Sequence, residues 1–166
     1  MQSSEYVNLK NNPTNWSKRM SPDVIGTIYM RNVYELIFPT TLTDEITNSP
    51  MAPALQVGRM NIPTNIENEW NDWYNQIYAP NYETVTGVIR GRRYQTMEGS
   101  PKYMTFYELE SAMASQTEEW QKQQTAHPTN ERMREEMQHE ADSPGIWIKT
   151  FELSPTETPL SYEFKI

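Results

Sequence analysis

Two alternating runs separated by a four-residue breaker constrain this chain more than any other feature. Residues 84–97 set Arg90, Arg92 and Tyr94 on one side of an extended strand, and Ile89, Gly91 and Arg93 on the other. Glu98-Gly99-Ser100-Pro101 interrupts the pattern, and residues 102–110 resume it with Tyr103, Thr105 and Tyr107 opposed to Met104, Phe106 and Glu108. This is an antiparallel hairpin. With the turn centred between Gly99 and Ser100, Glu108 falls opposite a residue between Arg90 and Arg92, and a slip of one residue would exchange the faces.

The flanking sequence supplies the remaining elements. Residues 54–60 read as a short strand stopped by Pro63. Thr64 and Glu67 have capping-box spacing, and Ile66, Trp70, Trp73 and Ile77 then recur at steps of four, three and four, which puts them on one helical face that must be buried. Pro80 is expected to end that helix. From Ser111 onward, Met113, Trp120, Met133 and Met137 are embedded in Gln, Glu, Lys and Arg, as in amphipathic helices, and His127-Pro128-Thr129 divides this region in two. Residues 146–153 are rich in β-formers and read as a last strand. Residues 54–153 thus have the order βαββαβ, an α+β module with a four-stranded antiparallel sheet. Residues 154–166 form a tail, either a free end or an edge strand on a neighbour.

The N-terminal segment matches the end of this module. Asn12-Pro13-Thr14-Asn15 lies on His127-Pro128-Thr129-Asn130, Glu5-Tyr6 on Glu119-Trp120, and Tyr34-Glu35-Leu36 on Phe151-Glu152-Leu153. Residues 1–37 therefore read as a partial repeat, with helix in 1–20 and strand in 26–37, and the Pro- and Thr-rich residues 38–53 as the linker. Half a module cannot bury itself, so that strand is expected on the sheet of the complete copy or on another subunit.

Composition removes several function classes. Without cysteine there is no disulfide framework, thiolate nucleophile or cysteine-held metal. A formal charge of −8 disfavours nucleic acid, whose phosphates require a basic face. No stretch approaches the ~20 apolar residues of a membrane span, and the N-terminus lacks the apolar core of a signal peptide, so a cytoplasmic protein is expected. No phosphate loop, nucleotide fingerprint or nucleophile elbow is present, and His127 and His139 stand twelve residues apart, too far for an i, i+4 metal pair. Cofactors and metals are therefore not expected. His127, beside a proline, has a turn or capping role as its default.

Trp70-Asn71-Asp72-Trp73-Tyr74, Tyr78-Ala79-Pro80, Gly87-Val88, Gly91-Arg92-Arg93-Tyr94 and Pro101-Lys102-Tyr103, leading to Tyr107-Glu108-Leu109-Glu110, resemble the dimeric α/β-barrel superfamily, particularly its EthD-like members. The resemblance covers residues 54–153 and implies a ferredoxin-like fold, with two four-stranded antiparallel sheets packed face to face across a dimer or a tandem pair, helices outside, and a homodimer as the expected form of this chain. Members include monooxygenases, cyclases, decarboxylases and isomerases, so fold is implied more narrowly than reaction. Many relatives have a His before the proline that ends the first helix. Here Tyr78 stands there, and a phenol of pKa near ~10 is no proton shuttle at neutrality.

The candidate catalytic residues are Arg90, Arg92, Glu108 and Tyr78. A guanidinium can hold a carboxylate or enolate, and a neighbouring carboxylate or phenol can move a proton. The competing reading is a cross-strand ion pair that closes the sheet, which such arrangements more often are. Trp70, Trp73, Tyr74, Tyr94 and Tyr107 are the candidate substrate-binding residues, suited to a flat organic ligand between helix and sheet, although tryptophans so placed, such as Trp70 and Trp73, are more often ordinary core. The expected function is a cofactor-free lyase, isomerase or cyclase acting on an aromatic or polyketide-like carbonyl compound. The alternative is a non-catalytic ligand-binding or barrel-completing protein.

Overall fold

A computed structural model describes residues 3–21, 24, 26 and 32–150. The expected tail at 154–166, the end of the last strand at 151–153, and residues 27–31 of the N-terminal strand lie outside the described residues. Helices α1 (Ser4–Asn11) and α2 (Asn15–Arg19) come first, capped by the Ser3 and Thr14 hydroxyls, and strand β1 (Val33–Phe38) comes next. The linker contains helix α3 (Asp44–Asn48), capped by Thr43. Then come β2 (Ala54–Asn61), α4 (Glu67–Trp73), a π-helical turn (Tyr74–Tyr78), α5 (Ala79–Glu83), β3 (Val88–Glu98) and β4 (Tyr103–Leu109). A 3-10 turn (Ala112–Gln116), α6 (Glu118–Gln123), α7 (Asn130–Glu135), β5 (Gln138–His139) and β6 (Gly145–Ile148) complete the order.

The fold is α+β, with one open antiparallel sheet in the order β1-β3-β4-β2-β5, and β6 sharing the outer edge of β2 with β5. The expected layer of four strands is thus a sheet of six. The N-terminal strand β1 satisfies the free edge of β3, pairing Leu36 with Tyr94, and the two-residue β5 is too short to announce itself by alternation.

Directly opposed residues share a sheet face, so the register assigns two populations. Gln56, Gly58 and Met60 of β2 face Tyr107, Thr105 and Tyr103 of β4, and the helices cover this side. Leu55, Val57 and Arg59 oppose Glu108, Phe106 and Met104 on the other side, where Leu36, Tyr94 and Phe106 are half-buried and Trp147 is 63% exposed.

The helical face deviates from the expected one in an informative way. Trp70 and Trp73 are buried as anticipated, but Ile66 and Ile77 are only partly so, and Tyr74 and Tyr78 take their place inside. A π turn inserts extra backbone per revolution and rotates the residues beyond it, which brings both tyrosines inward. Pro80 does not end the helix. It sits in the first turn of α5, directly after the wide turn, where an absent N–H and a ring are tolerated. Thr64 and Glu67 form no capping box, because the cap is Ile66 and the Glu67 carboxylate instead accepts from the Tyr103 hydroxyl at 2.8 Å and pairs with Lys102.

The aromatic layer is tied at both ends. Asn130, fully buried, accepts from Trp73 Nε1 at 3.0 Å and donates to the Gln123 carbonyl at 2.8 Å, joining α4, α6 and α7. Arg93, 1% exposed, lies 4.2 Å from the Tyr74 ring centroid and 4.7 Å from that of Trp70, and donates to Asn71 Oδ1 at 2.8 Å and to Asn75. Burial lowers this guanidinium to about 10, so it stays charged at neutrality, solvated by π-faces and amide oxygens rather than by a carboxylate.

Candidate functional site

Between the helical layer and strands β2 and β4 lies a pocket of about 240 Å³. Strand alternation supplies its floor, Gln56, Gly58 and Thr105, and the π turn with α5 supplies Tyr74, Tyr78 and Tyr82. Trp120 of α6 and Arg134 of α7 close the side, with Met137, His139 and Pro144 beyond them in the chain.

The hydroxyls come in pairs. Tyr107 donates to Tyr74 at 3.3 Å, and Tyr78 and Tyr82 lie 3.3 Å apart. Each pair spends one O–H proton internally and keeps one to donate outward. Burial first, and the neighbouring phenols second, push Tyr78 and Tyr107 well above the usual phenol value, and burial also raises Tyr82. Such phenols do not ionise at physiological pH, so they serve as hydrogen-bond donors and not as bases. Their rings pack edge-on, with Tyr78 and Tyr82 centroids 4.9 Å apart and Tyr82 and Trp120 4.3 Å apart, which fixes the hydroxyl positions.

Thr105 adds a polar group without a partner. The residue is 1% exposed, its Oγ1 makes no hydrogen bond among the described residues, and it lines the pocket. An orphaned buried hydroxyl costs about 1–3 kcal/mol, an expense that a ligand group would offset. His139, an exposed residue of β5, brings an imidazole to the rim of the pocket; partial burial of the ring lowers its pKa and Arg134 adds to the lowering, against a hydrogen bond to the Arg59 backbone that raises it, so it is neutral at pH 7 and can accept a proton.

The sequence-derived candidates divide between two faces. Tyr74, Tyr78 and Tyr107 line the pocket. Trp70 and Trp73 are core behind it, with Trp73 bonded to Asn130 and Trp70 Nε1 unpartnered. Arg90, Arg92, Glu108 and Tyr94 stand together on the opposite side of the sheet. There Arg90 Nε lies 2.9 Å and Arg92 Nε 2.7 Å from the two Glu108 oxygens, with the N–H directions off the line to oxygen, an ion pair more than a directed bond. Arg92 also donates to the Ile46 carbonyl at 3.2 Å, holding α3 to the sheet.

The turn register explains this cluster. The hairpin is centred on Gly99, one position earlier on one strand than expected, because Gly99 takes φ of 102°, a conformation open to glycine. Glu108 is thereby opposite Arg90 itself and not Gly91. Gly91, on the other face, has its amide 2.7 Å from a Glu83 oxygen at the end of α5, and a Cβ there would meet that oxygen and the Tyr107 ring at 3.4 Å.

Sequence reasoning missed Thr105, Tyr82, Trp120, Arg134 and His139. Thr105 shares the face of Tyr103 and Tyr107, which alternation alone could have flagged, whereas Arg134 and His139 arrive through the packing of α7 and β5. Among the described residues no group of three or more His, Asp or Glu is placed to hold a metal ion, and no helix is long and apolar enough to cross a membrane. No protein-family model matches the chain, and neither the curated proteins nor the solved structures contain a match to it.

Proposed function

We propose that this is a cofactor-free, cytoplasmic small-molecule enzyme of the lyase, isomerase or cyclase kind, acting on an aromatic or polyketide-like carbonyl compound. The strand order β3-β4-β2-β6 within residues 54–148, all antiparallel, supports reading the scaffold as a ferredoxin-like module of the dimeric α/β-barrel type. The observation that carries the functional reading is the convergence of the Tyr74, Tyr78, Tyr82 and Tyr107 hydroxyls and the orphaned Thr105 hydroxyl on one aromatic-walled pocket beside a neutral imidazole.

The chemistry that fits is enolisation. His139 accepts the proton from a carbon next to the carbonyl as the C–H bond breaks, and the electron pair moves onto the carbonyl oxygen. The spare tyrosine protons donate to that oxygen as its charge develops, and the imidazolium returns the proton to carbon. Arg90, Arg92 and Glu108 lie across the sheet from this pocket and take no part. Hydrogen–deuterium exchange at the α-carbon of 2-tetralone, followed by NMR in D2O, tests the reading. Enhancement over buffer that is lost in His139→Ala and kept in Arg92→Met is the expected result; exchange at the buffer rate with the unaltered protein would refute it.

A second reading rests on the other face. Half-buried Leu36, Val57, Tyr94 and Phe106 and the exposed Trp147 form an apolar side that a like layer from a second copy would cover, as a homodimer or as a purely barrel-completing protein. Sedimentation mass tests it: a dimer that weakens on Trp147→Ser supports the covered face, and a monomer at all concentrations removes it.

A further inference from the structure

The pocket holds one charge without a counterpart. Arg134 on α7 is half-buried and lines the pocket, yet among the described residues it makes no ion pair and its side chain donates no hydrogen bond. Arg132, two residues earlier on the same helix, shows the contrast: it is exposed and pairs with Glu69. Glu131, three residues before Arg134 and at helix-pairing distance in sequence, is exposed and forms no bridge to it. Arg134 lines the pocket instead, where its charge bears on Tyr78, Tyr82 and His139.

Every other group lining the pocket is neutral at pH 7. Gln56, Gln124, Thr105 and the tyrosines contribute hydrogen bonds, Met60, Met137 and Trp120 apolar surface, and His139 is uncharged. The pocket therefore has a single uncompensated positive charge at one side and hydroxyl groups at another. A cationic ligand is disfavoured, a neutral one leaves Arg134 partly desolvated without a partner, and an anionic one satisfies it with a planar fork.

We infer that the ligand is an organic anion, an aromatic or polyketide-like carboxylate whose carboxylate is held by Arg134 while its body lies against the tyrosine rings and an oxygen at its far end meets the Thr105 and tyrosine hydroxyls. This assignment rests on the pocket reading above and specifies its ligand class; Arg134 determines specificity and takes no proton. A site of about 240 Å³ suits a two-ring acid.

The test compares 2-naphthoate with its neutral counterpart 2-naphthamide on the full chain, by calorimetry and by tyrosine resonances. The acid binds about tenfold tighter than the amide, in keeping with a charge-assisted pair in a partly buried site, and the preference weakens as salt is raised. Arg134→Met abolishes the preference by weakening the acid far more than the amide, Arg134→Lys restores part of it, and Arg132→Met, on the exposed side of the same helix, leaves it intact. Equal affinities for acid and amide, or a preference that survives Arg134→Met, overturn the anion assignment and spare the pocket. If neither probe perturbs Tyr78 or Tyr82, the pocket reading falls as well.

Discussion

Strand β3 places arginines on both faces of one sheet and the two faces solvate them in opposite ways. On the helical side, Arg93 is enclosed by Trp70, Tyr74 and Tyr103 and by the Asn71 and Asn75 amides, with no carboxylate of the described residues in contact. On the other side, Arg90 and Arg92 share the single carboxylate of Glu108. This contrast indicates where chemistry is to be sought. Charges that neutralise each other across a hairpin lock its register, whereas the face with the pocket, where Thr105, the tyrosine pairs and Arg134 meet without a carboxylate in the lining, is the one on which the proposed ligand site stands.

The largest expected effect comes from Arg93. Arg93→Ala removes the ring contacts and strands two amide oxygens, for a loss of about 3 kcal/mol in urea denaturation. Arg93→Met keeps the stem and loses roughly half as much. A loss under about 1 kcal/mol for the alanine variant would show that the enclosed cation is not what holds α4 to the sheet.

Next in size is Glu108→Gln, which leaves two guanidiniums facing each other and costs about 2 kcal/mol, less than for a fully buried pair because the arginines retain some exposure. Adding Arg90→Met should recover part of that loss, as coupled sites do, while 2-naphthoate affinity stays unchanged throughout. A drop in affinity without a drop in stability would instead move the functional site to this face.

Tyr78→Phe probes the helical side. One hydroxyl of a pair is lost at a cost under about 1 kcal/mol in stability, but ligand affinity and α-carbon exchange both fall. Unaltered affinity and exchange would remove the Tyr78 hydroxyl from the site.

The smallest effect concerns acid stability. Burial pushes the Glu67 carboxyl up, but Lys102 and the Tyr103 hydroxyl together hold it below its ordinary value of 4.5. A depressed carboxyl contributes stability above the unfolded-state pKa and loses it as pH falls through the folded-state one. Melting temperatures of Glu67→Gln should therefore fall less steeply below about pH 4.5 than those of the unaltered chain. Parallel acid limbs would show that the contact between Glu67 and Lys102 adds nothing.

Much of the scaffold was legible from local pattern. Alternation located β2, β3 and β4, and the four-three-four spacing found Trp70 and Trp73, because these signals are carried by neighbouring residues. The features that escaped depend on small offsets or on distant packing. The π turn exchanged Ile77 for Tyr78 on the buried face, and the Gly99 turn moved Glu108 by one position to Arg90. Tyr74, Tyr78 and Tyr107 were candidates from the outset, but their grouping with Thr105, Arg134 and His139 arises from how α7 and β5 fold back over the sheet, which no local spacing encodes.

Fluorine NMR of the chain labelled with 3-fluorotyrosine and titrated with 2-naphthoate reads both faces in one experiment, with resonances assigned by single Tyr→Phe variants. Shifts at Tyr74, Tyr78, Tyr82 and Tyr107 with Tyr34 and Tyr94 unmoved are the outcome expected if the helical side holds the ligand. Movement of Tyr94 while the pocket tyrosines stay silent would place binding at Arg90, Arg92 and Glu108 and overturn the assignment of the site.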